Sequence, residues 1–127
     1  MSLEHRHAKA LRKRAKRGFS GYPLATVAFY GPDDKVATKV AVGILRGEGR
    51  EPDFLERWFA THDVRTDPVI GEQILKFIRA HGTRSVAMTD RIIGCPHEEG
   101  VDYPAGAACP RCPFWAHRDR WSSETAQ

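Results

Sequence analysis

Along the middle of the chain the spacing of apolar residues changes period repeatedly, and each change marks a new element. From Leu24 to Tyr30 the run Leu-Ala-Thr-Val-Ala-Phe-Tyr has the composition of a β-strand, and Gly31-Pro32-Asp33-Asp34 is a turn signal. Val36, Thr38, Val40 and Val42 then alternate with Ala37, Lys39 and Ala41, a period of two that carries on towards Leu45 and predicts a second strand. The pair is expected to form an antiparallel hairpin with its valine face on the core. Gly47, Gly49 and Pro52 mark the exit loop. Asp53 is placed to cap a short helix reaching Thr61, with Leu55, Trp58 and Phe59 on one face. Asp67-Pro68 opens a longer helix, since Asp suits the cap and Pro the first helical position. Ile70, Ile74, Phe77 and Ile78 follow at i, i+4, i+7 and i+8, and Gly82 is its stop. Ser85 to Thr89 reads as a short buried strand that delivers the chain, through Ile92, Ile93 and Gly94, to a cysteine-bearing loop. This order predicts an α+β fold in which helices pack on one face of a small sheet.

Ahead of the first strand the pattern is different. Residues 4–17 lack Pro and Gly and are rich in Ala, Leu, Lys and Arg, which predicts a helix. Arg6, Lys9, Arg12, Lys13, Lys16 and Arg17 gather on one arc at about 100° per residue, Ala8, Leu11 and Ala15 share another, and Arg14 is the exception. Gly18, Ser20, Gly21 and Pro23 predict a flexible joint. The expected organisation is a basic helical arm over 1–21, one α+β domain over 22–121, and a tail over 122–127.

Charge sharpens that division. The formal net charge is +4, yet residues 1–20 carry seven of the 20 Lys and Arg and one of the 16 Asp and Glu. The remainder, with 13 bases against 15 acids, is slightly acidic, so basicity belongs to the arm. Such an arm can neutralise phosphates without reading sequence, and nucleic acid is the partner it suggests. Its apolar side is too small to hold a membrane surface, and no apolar run approaches the roughly 20 residues of a membrane span. Three cysteines without an export signal argue against a disulfide framework, and the expected location is the cytoplasm.

All three cysteines fall in one stretch. Cys95, His97, Cys109 and Cys112 form C-x-H, an eleven-residue loop and C-P-x-C. In extended chain, side chains two apart point the same way, so Cys95 and His97 can face one ion. Cys109 and Cys112 suit a knuckle turn, and Gly100, Pro104 and Gly106 let the connection double back. Four soft donors match a closed tetrahedral Zn²⁺ site and predict a zinc knuckle over 95–112. Free thiols, a redox pair, iron or an iron-sulfur cluster are the alternatives. Phe114, Trp115 and Trp121 are expected to pack beside the knuckle.

His97-Glu98-Glu99 also spells H-x-E, which with C-x-x-C looks like the nucleobase deaminase signature, in which Glu acts on zinc-bound water. Two points oppose it. Cys95 fills the fourth ligand position, and Glu98 to Ala108 is too short for the elements that separate the two halves in that family. An enzyme would rely on Glu98 and Glu99, and a hydrolase could add Asp63 and Asp67, in a polar cleft with Asp90, Arg91 and Asp102. Against this, Asp67 is already a helix cap and loop acids are ordinarily solvated. His62, His81 and His117 read as surface or cap residues.

The words Gly94-Cys-Pro-His-Glu-Glu-Gly-Val-Asp-Tyr-Pro and Cys109-Pro-Arg-Cys-Pro-Phe-Trp, with Arg118-Asp-Arg, resemble a family of small uncharacterised bacterial proteins with a C-terminal C-x-H…C-P-x-C motif. The resemblance covers roughly the last quarter of the chain and implies a metal site without implying an activity. Taken together, the residues predict a non-enzymatic interaction module, for nucleic acid or protein, with structural zinc. A zinc-dependent hydrolase or deaminase-like enzyme is the alternative.

Overall fold

The computed structural model describes residues 3–49 and 51–116; His117, Arg118, Trp121 and the tail over 122–127 lie outside the described residues, as do the side chains of Arg6 and Asp90. Helix α1 (Leu3–Lys16) is followed by strands β1 (Leu24–Tyr30), β2 (Lys39–Leu45) and β3 (Phe54–Phe59), then helix α2 (Pro68–Ala80) and strand β4 (Ser85–Ile92). The strands form one sheet in the order β3-β2-β1-β4. β1, β2 and β3 are an antiparallel meander, and β4 lies parallel to β1 on its other side. A parallel neighbour needs a crossover, which α2 supplies between β3 at one edge and β4 at the other. Among the described residues no helix is long and apolar enough to cross a membrane.

The predicted valine face is on the core. Val40, Val42 and Ile44 of β2 are fully buried with Ala25, Val27 and Phe29 of β1, beneath Ile70, Ile74, Leu75 and Ile78 of α2. β2 starts only at Lys39, however, and Val36 is exposed in the preceding loop. There Asp33 Oδ1 accepts from the N–H groups of Lys35 and Val36, so a local side-chain turn replaces the ladder. β4 runs to Ile92 rather than Thr89 and is an edge strand, with Ala87 exposed.

The helix expected after Asp53 is a strand instead. Phe54 to Phe59 pair residue for residue with β2, from Phe54 opposite Ile44 to Phe59 opposite Lys39. Asp53 caps no helix: its carboxylate accepts from Arg46 N at 2.8 Å, and its own N–H donates to Ile44 O, closing the β2–β3 turn. The spacing of Leu55, Trp58 and Phe59 fits a helical face, but an aromatic-rich segment beside an unpaired strand gains a full ladder by extending. Of these three, Trp58 turns towards α2, where its ring meets Phe77 edge-on and its Nε1 donates to Gln73.

The predicted α2 is present within a residue at each end. Asp67 Oδ1 accepts from Ile70 N at 2.9 Å, Pro68 occupies the first turn, and Gly82 lies beyond the end with φ of +61°. α1 packs beside α2 in the same sense, with His7 over Gly71 and Arg14 Nη2 donating to Thr83 O at 2.8 Å. A Cβ on Gly71 would come within 2.6 Å of the His7 Cβ, so the missing side chain sets the close approach. Leu11 is 4% exposed within the main core, and α1 is therefore part of the packed body. At the α1–β1 joint, Ser20 N donates to Ser85 Oγ and Ser85 Oγ to Gly21 O.

Leu11→Ala should lower unfolding stability by about 2–5 kcal/mol, measured by urea denaturation, because it empties a buried site. Asp67→Ala should cost about 1 kcal/mol at neutral pH. The Ile70 N–H and His62 hold the Asp67 carboxyl below its usual range. A depressed folded-state pKa gives stability that is present above the unfolded value of about 3.9 and lost as pH falls through the folded one. The difference between wild type and Asp67→Ala should accordingly narrow at acid pH.

Candidate metal centre

β4 ends beside the end of β1, and two backbone bonds carry their pairing into the next segment: Ile93 N donates to Phe29 O and Gly31 N to Gly94 O. Cys95 is thereby delivered to the end of the sheet. The chain then turns on its own side chains. Asp102 Oδ2 accepts from Glu98 N at 2.7 Å, and Glu99 Oε2 accepts from Gly106 N at 2.7 Å. Gly100 and Gly106 take φ of +84° and +82°, which is where these reversals call for glycine. Cys109 and Cys112 return in a tight turn closed by Cys112 N to Cys109 O.

One cluster results. Cys95, Cys109 and Cys112 are 5%, 7% and 2% exposed and His97 is half-buried, with one donor atom from each within 4.8 Å of the others. His97 presents Nδ1, which lies 3.2, 3.4 and 3.5 Å from the sulfurs of Cys95, Cys109 and Cys112. Zinc bonds of about 2.3 Å to sulfur and about 2.05 Å to nitrogen, at a tetrahedral angle, require nitrogen-to-sulfur edges of about 3.6 Å. The four donors thus form a group that can hold a metal ion with little rearrangement.

The sulfurs are electrostatically unequal. Burial pushes the Cys95 thiol up to about 12 and raises Cys112 as well. Desolvation acts on Cys109 in the same direction, but the Arg111 N–H and the Cys95 and Cys112 thiols donate to its sulfur and bring it below the ordinary thiol value. A metal ion bound here would replace the protons that these sulfurs otherwise share.

The knuckle is fastened to the sheet by residues that motif spacing does not find. Lys39, 5% exposed, sends Nζ to Pro96 O at 3.0 Å and to Glu98 Oε1 at 3.4 Å, between the rings of Tyr30 and Phe59 at 5.3 and 5.6 Å. Arg57 of β3 pairs with the same Glu98 oxygen. Lys39 and Arg57 share a cleft of about 290 Å³ with Cys95 and His97, so positive charge stands beside a site that becomes anionic when three thiolates ligate a divalent ion. One signal was available, since Lys39 is the single charge between Val36 and Leu45. On the other side Trp115 packs against the cysteines, and its Nε1 donates to Gly31 O at 2.8 Å. Phe114 meets Trp115 edge-on.

The candidate catalytic acids are not gathered here. Asp63 caps the turn Val64–Thr66, accepting from Arg65 N, Nε and Nη2 at 3.0, 2.9 and 2.7 Å, and these contacts outweigh desolvation to lower its carboxyl. Asp67 caps α2, and neither acid lines the cleft at the cysteines. Glu98 and Glu99 do stand beside His97, where both hold the loop. The Asp90 side chain lies outside the described ones. Of the basic residues, Lys9, Lys13, Lys16 and Arg17 are exposed, Arg12 is half-buried, and Arg14 is drawn into the α2 contact.

Comparison of the chain with protein-family models, with curated proteins and with solved structures gives no match.

Cys112→Ser, or treatment with a strong chelator, should strip metal from the purified protein and lower its thermal midpoint. Hydrogen exchange should speed first in residues 95–116, because that segment has turns and no ladder to hold it. Unchanged metal content and unchanged exchange would count against a metal centre.

Proposed function

We propose that this chain is a non-enzymatic binding module in which zinc, held by Cys95, His97, Cys109 and Cys112, is structural, and in which α1 contacts nucleic acid. The observation that carries the reading is the donor count. Four protein atoms converge within 4.8 Å of one another, with His97 Nδ1 3.2 to 3.5 Å from each sulfur, and a closed four-ligand shell leaves no place for the water that a catalytic zinc activates. Zinc is preferred to iron because a compact three-sulfur, one-nitrogen set is a structural zinc pattern. A hydrolase or deaminase-like reading needs a free carboxylate beside an open metal. Glu98 is ion-paired with Lys39 and Arg57, and Glu99 accepts from Gly106 N. Likeness to the small bacterial proteins with the same C-terminal motif agrees with a knuckle, and a reducing compartment such as the cytoplasm keeps the thiols ligating.

The partner is argued from charge. Lys9, Lys13 and Lys16 are exposed on α1, while Leu11 anchors the opposite side of the helix in the core. Lysines on a rigid helix contact phosphates without reading bases, and their binding weakens steeply with salt.

Elemental analysis should find one zinc per chain. Filter binding of nucleic acid across a salt series should give a steep slope that flattens in the Lys9→Ser, Lys13→Ser, Lys16→Ser variant. The substitutions leave Leu11 in place, so the fold is preserved and loss of binding reports on charge. An unchanged slope would remove α1 from the interface.

A further inference from the structure

α1 and α2 lie side by side in the same sense, and on their outer surface a groove of about 510 Å³ runs between them. Ala10 of α1 and Leu75 of α2 line it, with His7 at one end and Lys76 and Arg79 along the α2 wall. Lys13 stands three residues after Ala10 on the neighbouring stripe of α1, Arg17 follows directly after the helix, and both are exposed. Beyond the end of α2, the Arg84 guanidinium lies against Gly21 in the α1–β1 joint and is a further exposed cation. Two cations, Lys76 and Arg79, therefore line the groove, and three more, Lys13, Arg17 and Arg84, are exposed on the segments that flank it. Glu72 is the one acid among the described lining residues, and it is paired with Lys76 at 3.4 Å on the surface.

We propose that this groove is a composite docking site for the phosphate backbone of a nucleic-acid duplex, with α2 and Arg84 supplying contacts that α1 alone does not. The inference rests on the nucleic-acid reading above and extends it to a second helix. Charge complementarity selects the partner, because two rows of cations on helices about 8–10 Å apart present positive charge to a regular polyanion. The form of nucleic acid follows from what the groove lacks. Among its described lining residues there is no Phe, Tyr or Trp and His7 at one end is the one ring, so a run of stacked single-stranded bases finds no extended platform, whereas phosphates need only cations. The acidic remainder of the sequence explains why such a site has to be assembled locally.

The test is a salt series of filter binding with a short mixed-sequence DNA duplex, comparing the full-length zinc-loaded protein, the α1 triple-serine variant and Lys76→Ser with Arg79→Ser. Both α2 residues are exposed, and an unchanged urea midpoint shows that the double variant is folded. The double variant should bind at least about ten-fold more weakly, with the slope of log affinity against log salt shallower by about two, one per lost phosphate contact. If it binds as wild type does while the α1 variant loses affinity, the composite site is overturned and the α1 reading stands. If wild type fails to bind, both fall. Tighter binding to the separated single strand than to the duplex would overturn the assignment to duplex backbone.

Discussion

Three sulfurs and one imidazole nitrogen crowded around a point at the end of β4 are the constraint that gives the last part of the described chain its shape. Between Cys95 and Cys112 there is no helix and only an isolated bridge between Glu99 and Tyr103, so backbone ladders do little to order it. On the proposed assignment to zinc, apparent binding on the order of 10 kcal/mol or more supplies what the ladders do not. That is comparable to the whole net stability of a domain, about 5–15 kcal/mol. Gly31 transmits the constraint inward, since its N–H reaches Gly94 and its carbonyl accepts from Trp115.

The two faces of the sheet divide the work, and β2 serves both. Its alternate residues Val40, Val42 and Ile44 are buried under the helices, while Lys39 and Ala41 point to the cleft beside the cysteines. The strand period of two makes this possible, because a slip of one residue would exchange the faces. Lys39 tolerates burial because its ammonium has a carbonyl, a carboxylate and two aromatic rings around it. The helical layer carries its own division, with Leu11 turned to the core and Lys9, Lys13 and Lys16 turned to solvent.

Much of this was legible in local pattern, and the exceptions have one cause. α2 was readable from its cap, its proline and its isoleucine spacing, and β1 from its composition, because those signals act within a few residues. The Cys95, His97, Cys109 and Cys112 spacing picked out the residues that the structure brings within 4.8 Å of one another. β3 was misread because Leu55, Trp58 and Phe59 fit a helix in isolation, and only the open edge of β2 makes the extended form better. Lys39 and Arg57 carry no motif, since their partner Glu98 is 59 residues from the first of them.

By itself the sequence determined the donor set, the turn glycines and helices α1 and α2, since each depends on chemistry within a short span. Tertiary structure decided that β3 pairs with β2 and β4 with β1, that α1 packs into the body through Leu11 and against Gly71, and that Lys76 and Arg79 come to line a groove between the two helices. Those are contacts between distant segments, and their free energy exists only once the sheet has brought the segments together.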